Sequence, residues 1–307
     1  MSGEPPLLEL LPSPCPPGGD PALLASEVTA RSGTSFGPGM AILPRARRQA
    51  MHAVYAFCRM VDDIADGPFA PEDKRAALDA WRDEIGRLYA GHPQSAVGLA
   101  LKPGVEAFDL PEREFHLMIE GMEMDAAGPI IAPLRPTLQR YTRRVAGSVG
   151  ALSMRIFGAW SGEVSERFAL ALGDAFQLTN ILRDIEGDAE VGRLYLPADL
   201  LDRHGIAERD PMAVARHKGL PALSAELGRE ARAAYDEARR LAPRHSRLRL
   251  APALVMMGAY EAYLDRMEAL GFRRPLPEPL LTRREKLWRG LACALFGPGH
   301  PGSRPAA

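Results

Sequence analysis

Apolar residues recur at three- and four-residue intervals from about Arg47 to the carboxyl terminus, and the two-residue alternation of half-buried strands is almost absent. This pattern predicts a nearly all-helical fold, with helices near 47–66, 72–90, 112–126, 135–160, 164–187, 210–217, 220–242, 251–270 and 283–296. Turn and stop signals separate them: Gly67-Pro68, Gly91-His92-Pro93, Pro103-Gly104, Gly128-Pro129, Asp210-Pro211 and the run from Pro275 to Pro279. No break has the length of an interdomain linker and no repeat period emerges, so one domain of packed helices is the simplest expectation.

Two segments depart from helix grammar. Val145-Ala-Gly147-Ser148-Val-Gly150 puts glycines inside a helix, where each costs roughly 0.5–1 kcal/mol relative to alanine. The room they create could hold a long substrate chain or a close helix neighbour. The second segment, Gly187 to Pro197, reads as a glycine-bounded loop able to close over a site as a lid.

Composition narrows the classes. A 307-residue chain with 46% hydrophobic residues can bury a sizeable core, and a net charge of −1 gives no support for bulk nucleic-acid binding. Cys15, Cys58 and Cys293 are odd in number and lack ligand spacing, which suits a reduced cytoplasmic setting. The proline-rich residues 1–30 lack signal-peptide grammar and are expected to be a disordered leader, with 31–297 as the folded domain and 298–307 as a disordered tail. The longest apolar stretch, around Ala251 to Tyr260, falls short of the roughly 18–20 residues that span a bilayer.

The chemistry concentrates in two acidic runs, Arg59-Met-Val-Asp62-Asp63-Ile-Ala-Asp66 and Asn180-Ile-Leu-Arg183-Asp184-Ile-Glu-Gly-Asp188. Asp62 and Asp66 lie four residues apart, as do Asn180, Asp184 and Asp188, so each set projects from one helical face. Like charges at this spacing repel, and a bound cation removes the penalty. Magnesium suits such faces because it takes one or two carboxylates and fills its octahedron with water and substrate phosphate oxygens. Arg59 shares the first face, where it either pairs with Asp62 or grips a phosphate; Gln177 lies near the second face, and Arg183 and Arg193 add cations nearby. Together the two faces could place two or three hard cations on a diphosphate.

From about Ser32 to about Leu270 the chain resembles the squalene/phytoene synthase family. The resemblance rests on Tyr55-Ala-Phe-Cys-Arg59-Met-Val-Asp62-Asp63-Ile-Ala-Asp66, on Gln177-Leu-Thr-Asn180-Ile-Leu-Arg183-Asp184-Ile-Glu-Gly-Asp188, and on Arg193-Leu-Tyr195-Leu-Pro197. Tyr141-Thr-Arg-Arg-Val-Ala-Gly147-Ser-Val-Gly150 lies between the two signatures, and Gly33-Thr34-Ser35-Phe36 and Gly121-Met-Glu-Met-Asp125 add to the likeness. Tyr260-Glu-Ala-Tyr-Leu-Asp-Arg-Met-Glu and Lys286-Leu-Trp288 look most like the bacterial hopanoid-pathway branch, which makes presqualene diphosphate. The chain departs from the family at Gly33, where a hydroxyl residue is frequent, and at Gly37, where an aromatic is.

What the resemblance implies is an all-α, single-domain isoprenoid synthase bundle around a central cavity, with its aspartate-rich helices facing each other across the mouth. It implies metal binding by Asp62, Asp63, Asp66, Asn180, Asp184 and Asp188, two or three magnesium ions, and no NADPH. It carries substrate contacts to Ser35, Phe36, Arg59, Arg193 and Tyr195, and a place at the reacting centre to Tyr141, Gln177 and Tyr260. Phe36, Tyr55, Phe157 and Tyr260 would belong to a water-excluding wall, or to ordinary core.

The implied reaction is head-to-head condensation of two farnesyl diphosphates to presqualene diphosphate. Phytoene synthesis from geranylgeranyl diphosphate and NADPH-dependent squalene synthesis stand beside it, as do a prenyl diphosphate hydrolase and a non-catalytic scaffold. Expected partners are prenyl diphosphates rather than nucleic acid, together with downstream pathway enzymes. The segment Arg283 to Phe296 either packs as a last helix or docks on an anionic membrane, which would make the protein cytoplasmic and peripheral to the inner face of the membrane.

Overall fold

Where the apolar period is long and uninterrupted, the computed structural model has long helices. It describes residues 5–31 and 37–298. In chain order these form α1 (Leu7–Leu10), α2 (Pro21–Arg31), α3 (Gly37–Ala41), α4 (Arg45–Asp66), α5 (Pro71–Tyr89), α6 (Ala96–Phe108), α7 (Glu112–Ala126) and α8 (Arg135–Thr142). A π-helical turn, Arg143–Gly147, leads into α9 (Ser148–Phe157), followed by α10 (Glu163–Glu190), α11 (Ala198–Arg203), α12 (Pro211–Ala215), α13 (Leu220–Leu241), α14 (Arg247–Ala269) and α15 (Arg283–Phe296). The fold is all-α: among the described residues, β pairing is limited to two isolated bridges, Pro14 with Ser95 and Ile131 with Leu194.

The helices group into two compact units, Met1–Gly128 with Ser148–Trp160 and Pro129–Gly147 with Ser161–Ala307. In the first, Phe57 of α4 meets Trp81 of α5 and Phe115 of α7 edge to face, with centroids 5.7 and 5.3 Å apart, and all three rings are fully buried. In the second, α10 packs along α13, and α14 along α15.

Three expectations need correction. Residues 5–31 are not a disordered leader: α1 and α2 pack on α4, Leu10 is buried, and its carbonyl accepts the Trp81 indole N–H at 2.8 Å. The expected tail lies outside the described residues apart from Pro298. Pro103-Gly104 is no break, because α6 runs through it. Its start is fixed by Ser95, whose side chain accepts from Gly98 N, while the buried Glu84 carboxylate accepts from the amides of Gln94 and Ser95 at 2.9 and 2.7 Å. Finally, α10 continues through Gly187 and Asp188 to Glu190, so the supposed lid shrinks to a short connection. Backbone bonds hold that connection: Leu194 N donates to Ile130 O, and Ala132 N to Leu194 O, both at 2.8 Å.

The glycine-rich segment resolves in favour of a helix neighbour. A Cβ on Gly173 of α10 would lie 3.0 Å from Gly147 N and 3.1 Å from Ala146 C, so the π-turn and α10 touch backbone to backbone.

Candidate active site

On α4, Arg59 forms ion pairs with two of the three aspartates, Asp62 and Asp63. Arg59 Nε donates to Asp63 Oδ2 at 3.0 Å, a second guanidinium nitrogen also meets Asp63, and Nη1 reaches Asp62 Oδ2 at 3.3 Å. Asp62 is accessible to water yet crowded by protein. Its carboxyl is pushed up to about 7, first by desolvation and then by Asp66, with Asp63 and Asp125 adding repulsion and Arg59 opposing them. Desolvation also raises Asp63, against the pull of Arg59. The nearby Cys58 thiol is pushed up to about 12 by burial and by Asp62.

Asp125, a buried carboxylate of α7, is a member of this cluster that the spacing argument missed. It comes from another helix, so only the Gly121-to-Asp125 motif could have pointed to it. Of the first-unit residues expected at the site, Arg59, Asp62 and Asp63 are in contact, and Asp66 lies one turn on. Ser35 and Phe36 lie outside the described residues.

On α10 the arrangement differs. Arg183 grips Asp184 with both arms, Nε to Oδ1 at 2.7 Å and Nη2 to Oδ2 at 2.6 Å, and its guanidinium lies over the Tyr263 ring, 5.1 Å from the centroid. Underneath, buried Arg274 donates to the carbonyls of Leu182 and Arg183 and pairs with Glu186 at 3.4 Å. Sequence reading placed Arg183 as a cation beside the second face, but it did not anticipate Arg274. Arg183 was legible from its place beside Asp184, whereas Arg274 arrives from a distant segment.

Asn180 Oδ1 is buried and has no hydrogen-bond partner. An orphaned buried acceptor is costly, which makes Asn180 a candidate position for a ligand. One turn earlier, Phe176 stacks on Tyr260 of α14 with centroids 4.4 Å apart, and Tyr260 meets Tyr263 edge-on at 6.2 Å. Burial raises the Tyr260 phenol, and Arg183, hydrogen-bonded to it, works against that rise. Gln177 and Asp188 lie on the same helix.

The connection after α10 contains two more of the residues expected at the site. Tyr195 is buried and stacks on Tyr141 at 5.2 Å between centroids, with the hydroxyls 3.5 Å apart. Arg193 is fixed by its backbone, whose N–H donates to Asp188 O at 2.7 Å.

Among the described residues no three His, Cys, Asp or Glu side chains form a ready-made metal site. Magnesium needs none here, because one or two carboxylates suffice when substrate phosphates and water complete the shell. The donors of each face, taken separately, fit that ion: on α4, hard carboxylate oxygens whose repulsion a cation would relieve, and on α10, the Asp184 carboxylate with an unpartnered amide oxygen at Asn180.

The sequence profile of the family described as squalene/phytoene synthase matches residues 29–285. The presqualene diphosphate synthase of Rhodopseudomonas palustris is 42% identical over 83% of this chain and 91% of its own length. That of Zymomonas mobilis is 40% identical over 86% and 90%. Among solved structures, squalene synthase HpnC from Alicyclobacillus acidocaldarius is similar with a TM-score of 0.75 at 30% identity, covering 82% of this chain and 95% of that one.

Proposed function

The chain belongs to the squalene/phytoene synthase family, and we propose that it is a prenyltransferase condensing two farnesyl diphosphates head to head into presqualene diphosphate. The C1–O bond of one substrate breaks, releasing diphosphate and leaving an allylic cation. The 2,3-double bond of the second substrate attacks that C1, and loss of a proton closes the cyclopropane while the second diphosphate stays attached. Bound magnesium supplies charge neutralisation of the departing diphosphate.

The residues divide the remaining work. On α4, Asp62 and Asp66 would hold ions with Asp63 in support, on α10 Asn180 and Asp184 would do so with Asp188 in support, and Arg59, Arg193 and Tyr195 would hold diphosphate oxygens. Gln177, Tyr141 and Tyr260 line the reacting centre, where stacked rings exclude water and offer π-faces to the cation. The observation that carries this reading is the unpartnered Asn180 Oδ1 on α10, one turn from Asp184 and one turn from the Phe176–Tyr260 stack. Anchoring a leaving diphosphate beside an aromatic surface is what allylic ionisation requires.

No described helix is long and apolar enough to cross a membrane. The reading places the protein in the cytoplasm, peripheral to the inner face of the membrane, passing its lipid product to downstream enzymes. Incubation with magnesium and either farnesyl or geranylgeranyl diphosphate, with products identified by mass spectrometry, tests the assignment. Presqualene diphosphate from farnesyl diphosphate without NADPH is expected; phytoene as the preferred product, or farnesol alone, would overturn it.

A further inference from the structure

Helix α15 carries chemistry that neither the fold nor the condensation uses. Its inner face packs tightly on α14: a Cβ on Gly290 would lie 2.6 Å from Val255 O, so the helices approach closely where glycine alone fits. Cys293 is buried, Arg289 pairs with Asp265, and the Lys286 ammonium lies over the Tyr263 ring at 5.8 Å.

The outer face differs. Leu287, Leu291 and Leu295 follow one another at one-turn intervals with Trp288 beside them, and they remain 46%, 37%, 66% and 66% exposed in the order Leu287, Leu291, Leu295, Trp288. Arg283 and Arg284 precede Leu287 and Trp288 by one turn, are exposed, and pair with no acid among the described residues. The acid of that turn, Glu285, is committed to a capping box with Thr282. Cations in a first turn oppose the helix dipole, and a contiguous apolar stripe left in water is unfavourable. Both costs would be offset by a surface that is anionic outside and apolar beneath.

We propose that this face of α15 docks the protein on the headgroup layer of an anionic bilayer, Leu287, Trp288, Leu291 and Leu295 entering the acyl boundary and Arg283 and Arg284 meeting lipid phosphates. The identity of the occupant follows from charge complementarity and from Trp288, whose amphipathic ring suits the interface between water and lipid. The inference extends the reading of the protein as peripheral to the membrane, and gives its lipid product a place to go.

The test is co-sedimentation of the full chain, without substrate, with vesicles of phosphatidylcholine alone or mixed with phosphatidylglycerol, at low and high salt. Binding to the mixed vesicles alone, weakened by salt, is expected. Arg283→Glu with Arg284→Glu should weaken it by at least about 25-fold, from about 5-fold per basic residue. Trp288→Ser with Leu291→Ser should weaken it by more than about 10-fold. Condensation assayed without vesicles should be unchanged in both variants, which separates failure of docking from failure of the catalytic assignment. Equal binding by variants and wild type, no binding at all, or a stripe that instead mediates dimers lost in the serine variant would overturn the proposal.

Discussion

The aspartate faces of α4 and α10 share a spacing but not an electrostatic design. On α4, Arg59 pairs with Asp62 and Asp63, and desolvation with the repulsion of Asp66, Asp63 and Asp125 pushes the Asp62 carboxyl up to about 7. On α10, Arg183 matches Asp184 bidentately and is backed by Tyr263, while Asn180 contributes a neutral oxygen in place of a further charge. The first face is a crowded cluster of carboxylates whose repulsion at Asp62 a cation would relieve. The second is a pre-arranged platform whose cation and acceptor are already in register.

The largest effect that bears on this contrast is on turnover. Asp62→Ala and Asp184→Ala should each lower the condensation rate by about 100-fold or more while circular dichroism stays helical, since losing a ligand also relieves repulsion. Near-normal turnover in both would break the metal assignment. Next comes stability. Arg183→Ala should cost about 2 kcal/mol in urea denaturation because it removes a bidentate, partly buried pair, whereas Arg59→Ala, whose side chain is 44% exposed, should cost less than about 1 kcal/mol. Equal losses would erase the distinction between the two faces.

The smallest effect depends on pH in the metal-free protein. The Asp62 carboxyl is raised in the folded state from 3.8 to about 7, so its contribution to stability is fully present below 3.8 and is lost as pH rises through 7. Asp62→Asn should therefore raise the melting temperature at pH 8 by a few degrees and change it less at pH 5. A variant destabilised more at pH 8 than at pH 5 would reverse the sign and contradict the crowding argument.

Much of this architecture was legible from the chain. The long amphipathic helices and both acidic faces follow from periodicity, because a 3.6-residue repeat fixes which side chains share a face. Where sequence reading failed, long-range contacts decided the outcome. Helix α6 passes through Pro103 because buried Glu84 and Ser95 organise its start, and α1 forms where Trp81 supplies a donor to Leu10 O. The π-turn at Arg143–Gly147 follows from close contact with Gly173, which no local spacing announces. At the site, Asp125 and Arg274 reach the acidic helices from other parts of the chain, so each face could be read but not its supports.

A head-to-head coupling, the reaction proposed for this chain, loses one diphosphate for every two substrates. Its most direct test is the stoichiometry of diphosphate release against farnesyl diphosphate consumption, measured with magnesium, without NADPH, and again after chelation. The account predicts one diphosphate released for every two substrates consumed, and no consumption once magnesium is chelated. One diphosphate released per substrate consumed, or turnover indifferent to chelation, would contradict it.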